Sequence, residues 1–137
     1  AVIAVAGCYA QLAPEIFEKM GDVDVIVGLQ NRTRIVDYVE EAMRRTDKKP
    51  LNETVDIMKV DRFENMWVDA SGEVRTRAFV KVQEGCDNYC TFCIIPYARG
   101  KLKSRLQKDA VEEIRHLVAE GYREVVLTPW QLRQGPS

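Results

Sequence analysis

The sequence predicts an α/β fold: the end of a parallel-sheet domain followed by the opening strand–helix–strand unit of a second sheet. Three observations predict it. Strand-sized apolar runs at Ala1–Ala6 and Asp24–Gly28 alternate with helical stretches, the order that builds a parallel sheet. A second series of strand, loop, helix and strand runs from Ala78 to Leu127. Between the two, from about Thr46 to Arg77, the chain turns polar and charged and reads as a connector.

Each element follows from local chemistry. Ala1–Ala6 is continuously apolar and ends in Gly7, which predicts a strand buried on both faces. Pro14 suits the first turn of a helix that runs to about Met20, with Gly21 as its stop. Asp24–Gly28 is a second buried strand. A helix from about Thr33 to Arg45 carries Ile35, Val36, Val39, Ala42 and Met43 as an apolar stripe, with Arg44 and Arg45 at its C-terminal end. Inside the connector, Ala70, Ser71 and Gly72 between Met66–Val68 and Glu73–Arg75 suggest a hairpin turn. From Ala78 to Gln83, Phe79 and Lys81 alternate with Ala78, Val80 and Val82, which predicts a strand. A helix over about Lys108–Glu120 turns Val111, Ile114, Leu117 and Val118 inward and is capped by Gly121; Arg123–Leu127 is the next strand. His116 lies off that stripe and reads as a surface side chain.

Three of the four cysteines fall in Gly85-Cys86-Asp87-Asn88-Tyr89-Cys90-Thr91-Phe92-Cys93, spaced Cys-x3-Cys-x2-Cys. Their spacing also fits one helical face, and buried thiols often behave as small hydrophobes. Gly85, Asp87 and Asn88 are turn formers, however, and favour a loop at the C-terminal end of a strand, where α/β active sites gather. Thiolates there suit an iron–sulfur cluster or zinc, although structural zinc prefers four ligands in Cys-x2-Cys pairs. Disulfides are a further reading, though three thiols cannot all pair with one another. Three ligands without an obvious fourth leave one iron of a four-iron cluster open to another molecule. No residue is assigned a catalytic role.

Bulk properties bound the rest. The 137 residues suffice for one ordinary domain or two incomplete ones. With 46% hydrophobic and 30% charged residues the chain reads as soluble and globular. No run is long enough to cross a membrane, and no signal peptide or initiator methionine is visible, so the chain is expected to begin within a domain. A net charge of −1 gives no support for nucleic-acid binding. Thiols without secretory context indicate a reducing compartment, the cytoplasm.

The cysteine spacing, with Phe92 before the third thiol, resembles the signature of radical S-adenosylmethionine enzymes. The longer run from Ala78 through Cys86 and on from Ile94 to Gly100 resembles the tRNA methylthiotransferases. The likeness is nearest to the branch acting on threonylcarbamoyladenosine beside the anticodon. Gly7-Cys8-Tyr9-Ala10-Gln11 and Asp24-Val25-Ile26-Val27-Gly28 resemble the end of that family's N-terminal domain. The resemblance implies residues 1–46 as the C-terminal part of that domain, 47–77 as connector, and 78–137 as the truncated start of a radical SAM partial barrel.

It also implies roles. Cys86, Cys90 and Cys93 would ligate a [4Fe-4S] cluster whose open iron holds S-adenosylmethionine. Phe92 would pack near the cluster or adenosyl group; its alternative is an ordinary core phenylalanine. Tyr89 and Tyr97 read as packing. Cys8 would be the third ligand of an auxiliary cluster, so the family carries two clusters; its alternative is a lone thiol at a strand end. In the basic run Arg99, Lys101, Lys103 and Arg105, the guanidiniums Arg99 and Arg105 would meet the cofactor carboxylate or RNA phosphates, or the run is a solvated face. tRNA and an electron-donor protein are the implied partners, with no membrane and an unassigned oligomeric state. The likeness is expected to end after Thr128, where Pro129–Ser137 replaces the family's glycine turn. Such a chain would be inactive alone and prone to self-association. The alternative function is a non-catalytic zinc or iron–sulfur α/β module.

Overall fold

Val25, Ile26 and Val27 form the most deeply buried stretch of the chain, each 0% exposed. They are strand β2 (Val25–Val27), flanked by β1 (Ala4–Ala6) and β3 (Leu51–Asn52) in the order β1-β2-β3, all parallel. A central strand covered on both faces needs apolar side chains at every position, and burial of each contributes about 1.5–3 kcal/mol. The computed structural model describes residues 1–47, 49–66 and 76–129. They fall into two compact units: Ala1–Val60 with Asn88–Gly100, and Asp61–Asp87 with the described residues from Lys101 onward.

In the first unit the expected parallel sheet is present, with one correction. β1 is an edge strand among the described residues, and Ala4 and Ala6 are exposed. The full burial expected of Ala1–Ala6 is found in β2, which among the described residues has a strand on either side. Helix α1 (Cys8–Leu12) follows β1 directly, then α2 (Pro14–Met20), which Gly21 ends in a left-handed turn at φ 76°. Ala10, Val23 and Ile26 make one core, with Val5 and Phe17 packed against it. A 3-10 turn at Arg32–Arg34 leads into α3 (Ile35–Arg44). Its buried stripe is Ile35, Tyr38, Val39 and Ala42 against Val25 and Val27, whereas Val36 and Met43 are exposed. Spacing of three and four residues from Ile35 selects that face and turns Val36 and Met43 away. β3 and a 3-10 helix at Ile57–Lys59 lie in the stretch that reads as connector. Two consecutive strand residues carry too little pattern to announce themselves.

The second unit is a βαβ motif. β4 (Arg77–Lys81) pairs in parallel with β7 (Glu124–Thr128) through α5 (Gln107–Ala119). Ala78 and Val80 face Leu117 and Ile114, and Phe79 is exposed, as the alternation predicts. Val111 and Val118 are exposed rather than inward; Glu113 takes a buried place on the helix instead. His116 is on the surface. The hairpin expected over 66–75 and the divergent stretch from Trp130 lie outside the described residues, Met66 excepted. Among the described residues no helix is long and apolar enough to cross a membrane.

Candidate metal centre

The cysteine stretch is a loop, as its turn formers predict. Regular structure stops after β5 (Gln83–Glu84) and resumes at α4 (Ile95–Arg99). Gly85 sits at φ 82°, a left-handed conformation that glycine adopts without strain. Tyr89, immediately before Cys90, takes the same region at φ 46°, which costs a residue with a Cβ about 1–3 kcal/mol.

The foot of the loop is built in the second unit. β5 pairs antiparallel with β6 (Lys103–Ser104), matching Gln83 with Ser104 and Glu84 with Lys103. Gln83 Nε2 donates to Ser104 Oγ at 3.0 Å, Arg105 N–H to the Val82 carbonyl at 2.8 Å, and Leu102 N–H to Asp87 Oδ1 at 3.1 Å. Cys86 is buried at this foot. Charges collect here: Lys81 Nζ lies 3.1 Å from Glu84, itself 5% exposed, and Arg105 Nη1 pairs with Glu113, the two side chains 2% and 5% exposed. Arg105 Nε and Nη2 have no hydrogen-bond partner among the described residues. The Arg105 side chain borders a cavity of about 150 Å³ lined also by Phe63, Phe79, Lys81 and Glu113. Burial pushes the Lys103 ammonium pKa down; Glu84 opposes that shift and Lys81 adds to it.

Cys90 and Cys93 lie in the first unit. Cys93 N–H donates to the Cys90 carbonyl at 2.9 Å and closes a tight turn around Thr91 and Phe92. Cys90 is exposed, Cys93 half-buried, and Phe92 is 91% exposed. The core-phenylalanine alternative would need a covered ring, and the described residues leave Phe92 open. Tyr89 and Tyr97 meet edge to face, ring centres 5.9 Å apart, which agrees with a packing role. α4 anchors the far end of the loop: Pro96 and Ala98 are buried, and the helix packs against α1 and the Ile57–Lys59 turn. Arg99 is half-buried in its last turn.

Cys8, half-buried, opens α1 at the C-terminal end of β1. The sequence places it at a strand end; the helix that starts there is an addition. Sequence reasoning also missed Gln11, whose side chain joins three segments, and Glu113, a carboxylate four residues before Leu117 on an otherwise apolar face. None of the four cysteines forms a disulfide. Among the described residues no group of three or more His, Cys, Asp or Glu side chains is arranged to hold a metal. The donor set of three thiols in one loop, one of them exposed, remains chemically suited to iron.

Residues 80–131 match the radical SAM superfamily, and they contain all of β5, the loop and α5. Over 127 residues the chain is 44% identical to the threonylcarbamoyladenosine tRNA methylthiotransferase of Bacillus subtilis (strain 168), covering 93% of this chain and 28% of that protein. This chain is a relative of the tRNA methylthiotransferases. The enzyme of the same description from Aquifex aeolicus (strain VF5) is 38% identical over 98% of this chain and 32% of its own length. A tRNA-2-methylthio-N(6)-dimethylallyladenosine synthase of Anaplasma marginale (strain St. Maries) is 41% identical, covering 93% of this chain and 27% of that protein. The chain thus spans between about a quarter and a third of the length of these relatives. Likeness continues past Thr128, where the sequence reading ended it: the superfamily match reaches residue 131 and the Aquifex match takes in nearly the whole chain. A radical SAM domain implies S-adenosylmethionine and an iron–sulfur cluster.

Proposed function

We propose that the chain serves a tRNA-modifying enzyme that methylthiolates N6-threonylcarbamoyladenosine beside the anticodon by radical SAM chemistry. One observation carries the reading: the three-thiol loop lies inside the stretch matched to the radical SAM superfamily, in a chain whose relatives are tRNA methylthiotransferases. Residues 78–137 are the start of a radical SAM partial barrel, 1–46 the end of the preceding α/β domain, and 47–77 the connector.

Cys86, Cys90 and Cys93 would hold the [4Fe-4S] cluster as thiolates, three ligands for four irons. When bound, the cluster and S-adenosylmethionine would supply one-electron radical chemistry. The protein's share is to bind, orient and exclude competing reactions. Phe92, projecting from the tight Cys90–Cys93 turn, offers an apolar wall for the cofactor. Arg99 and Arg105 offer guanidiniums to its carboxylate, and Arg105 has two nitrogens, Nε and Nη2, left over from its pair with Glu113. Cys8 is the ligand for the auxiliary cluster. A cytoplasmic enzyme, tRNA and an electron-donor protein complete the reading.

The test is anaerobic iron–sulfur reconstitution, followed by visible and electron paramagnetic spectra with and without S-adenosylmethionine. A brown protein whose spectrum changes on adding the cofactor supports the reading. A colourless, zinc-bearing protein, or a cofactor-responsive cluster that is lost in Cys8→Ala and kept in Cys90→Ala, overturns it in favour of a non-catalytic metal-binding module.

A further inference from the structure

Gln11 and Gly28 stand in two motifs picked out in the sequence, have no part in the proposed chemistry, and meet at one point of the first unit. Gln11 Nε2 donates to the Val55 carbonyl at 2.8 Å, and its Oε1 accepts from Leu29 N–H at 3.1 Å. The side-chain amide therefore uses a donor and an acceptor at once, which a carboxylate of the same length cannot do. Gly28 is the floor beneath it: a Cβ there would collide with the Gln11 Oε1 and Cδ atoms.

The place of this contact matters more than its strength. Cys8 and Gln11 follow β1, Gly28 and Leu29 follow β2, and Val55 follows β3, so all lie at the carboxyl edge of the parallel sheet. Open α/β sheets bind their ligands at that edge. α1 has five residues, too short to hold its own shape, and no side chain caps its start. Its backbone is tied by Gly7 N–H to the Val27 carbonyl at 3.2 Å, and Ala10 is buried beneath it. Gln11 lies one turn beyond Cys8, so its clamp fixes the turn that carries the thiol.

We propose that Gln11 is the positioning residue of the Cys8 thiol, and that Gly28 is glycine in order to admit it. Its use in metal binding rests on the reading of Cys8 as a ligand; the clamp itself does not. Two independent arms test it on the full chain. In hydrogen exchange and peptide-resolved alkylation, Gln11→Ala should speed exchange at Leu29 and alkylation of Cys8 by on the order of tenfold, from the loss of two hydrogen bonds. Gln11→Glu, which keeps the acceptor and loses the donor, should fall between. Gly28→Ala should match Gln11→Ala, and the double variant should show no further gain, because both changes break one contact. Exchange in α5 should stay unchanged throughout, as a control for global unfolding.

In the iron-loaded protein, Gln11→Ala should weaken the spectroscopic component that Cys8→Ala removes and spare the one that Cys90→Ala removes. If Leu29 exchange and Cys8 alkylation in Gln11→Ala stay within twofold of the unaltered chain, burial of Ala10 alone sets the helix and the proposal falls. If the effects of Gln11→Ala and Gly28→Ala add in full, the two residues do not share one contact, and the role given to Gly28 falls. Should Cys8→Ala remove no component, the ligand reading fails, while the exchange and alkylation arm still decides the clamp.

Discussion

Cys8 and the Cys86–Cys93 loop both follow strands, yet the protein holds them in opposite ways. Cys8 opens a short helix pinned by Gln11 to the ends of two neighbouring strands. The loop is tied at its feet, by β5–β6 pairing on one side and by α4 on the other, and has no regular structure between. The difference teaches something about ligand supply. Three thiols carried by one short loop can be gathered by bending that loop around what it binds. A single thiol whose partners come from elsewhere must be set in place beforehand by the scaffold.

The strongest way to break this comparison is to remove thiols one at a time. In the reconstituted protein, Cys86→Ala, Cys90→Ala and Cys93→Ala should each abolish the loop's cluster, a loss of about four irons per chain by iron assay. Cys8→Ala should leave that cluster intact. If instead the loop's cluster is lost with Cys8 and kept without Cys90, the two sites have been assigned the wrong way round.

Next in size is the foot of the loop. Arg105→Met strands Glu113 as a buried, uncompensated carboxylate and should cost about 3–5 kcal/mol in urea unfolding. Replacing both partners, Arg105→Met with Glu113→Leu, should recover most of that loss, since a buried ion pair is weak evidence for net stability. A double variant as unstable as the single one would mean that the pair is not what closes the foot.

Much of this was legible in residue order, and the misses have physical reasons. Pro14 and Gly21 bracketed α2 because both act locally, through φ and a left-handed turn. The alternation in β4 was readable because one face is covered and the other open. Edge and centre were not readable: Ala1–Ala6 and Val25–Val27 are both apolar throughout, and pairing order makes β2 the central strand. β3 and the β5–β6 pair escaped because two-residue strands are defined by their partners. At the candidate site the thiols announced themselves by spacing, whereas Gln11, Gly28 and Glu113 gained meaning only from residues distant in sequence.

A smaller effect separates cofactor contact from folding. Phe92 is 91% exposed, so Phe92→Ala should change stability by no more than about 0.5 kcal/mol. It should nevertheless raise the S-adenosylmethionine concentration needed for the spectral change, read by titration. Loss of stability without any shift in that titration would return Phe92 to a packing role.

The smallest effect concerns the charge balance under the loop. Lys103 is 4% exposed, and burial pushes its ammonium pKa below the ordinary lysine value, with Glu84 pulling it back up and Lys81 adding to the fall. A lowered folded-state pKa means that, between that pKa and the ordinary value, the unfolded chain binds more protons than the folded one. Stability must then rise with pH across that window, because the buried charge is progressively discharged. Urea midpoints taken from pH 8 upward in the unaltered chain and in Lys103→Met should diverge, with the variant showing the flatter slope. Equal slopes would mean that Glu84 neutralises Lys103 fully, and that the foot of the loop is a balanced ion cluster rather than a strained one.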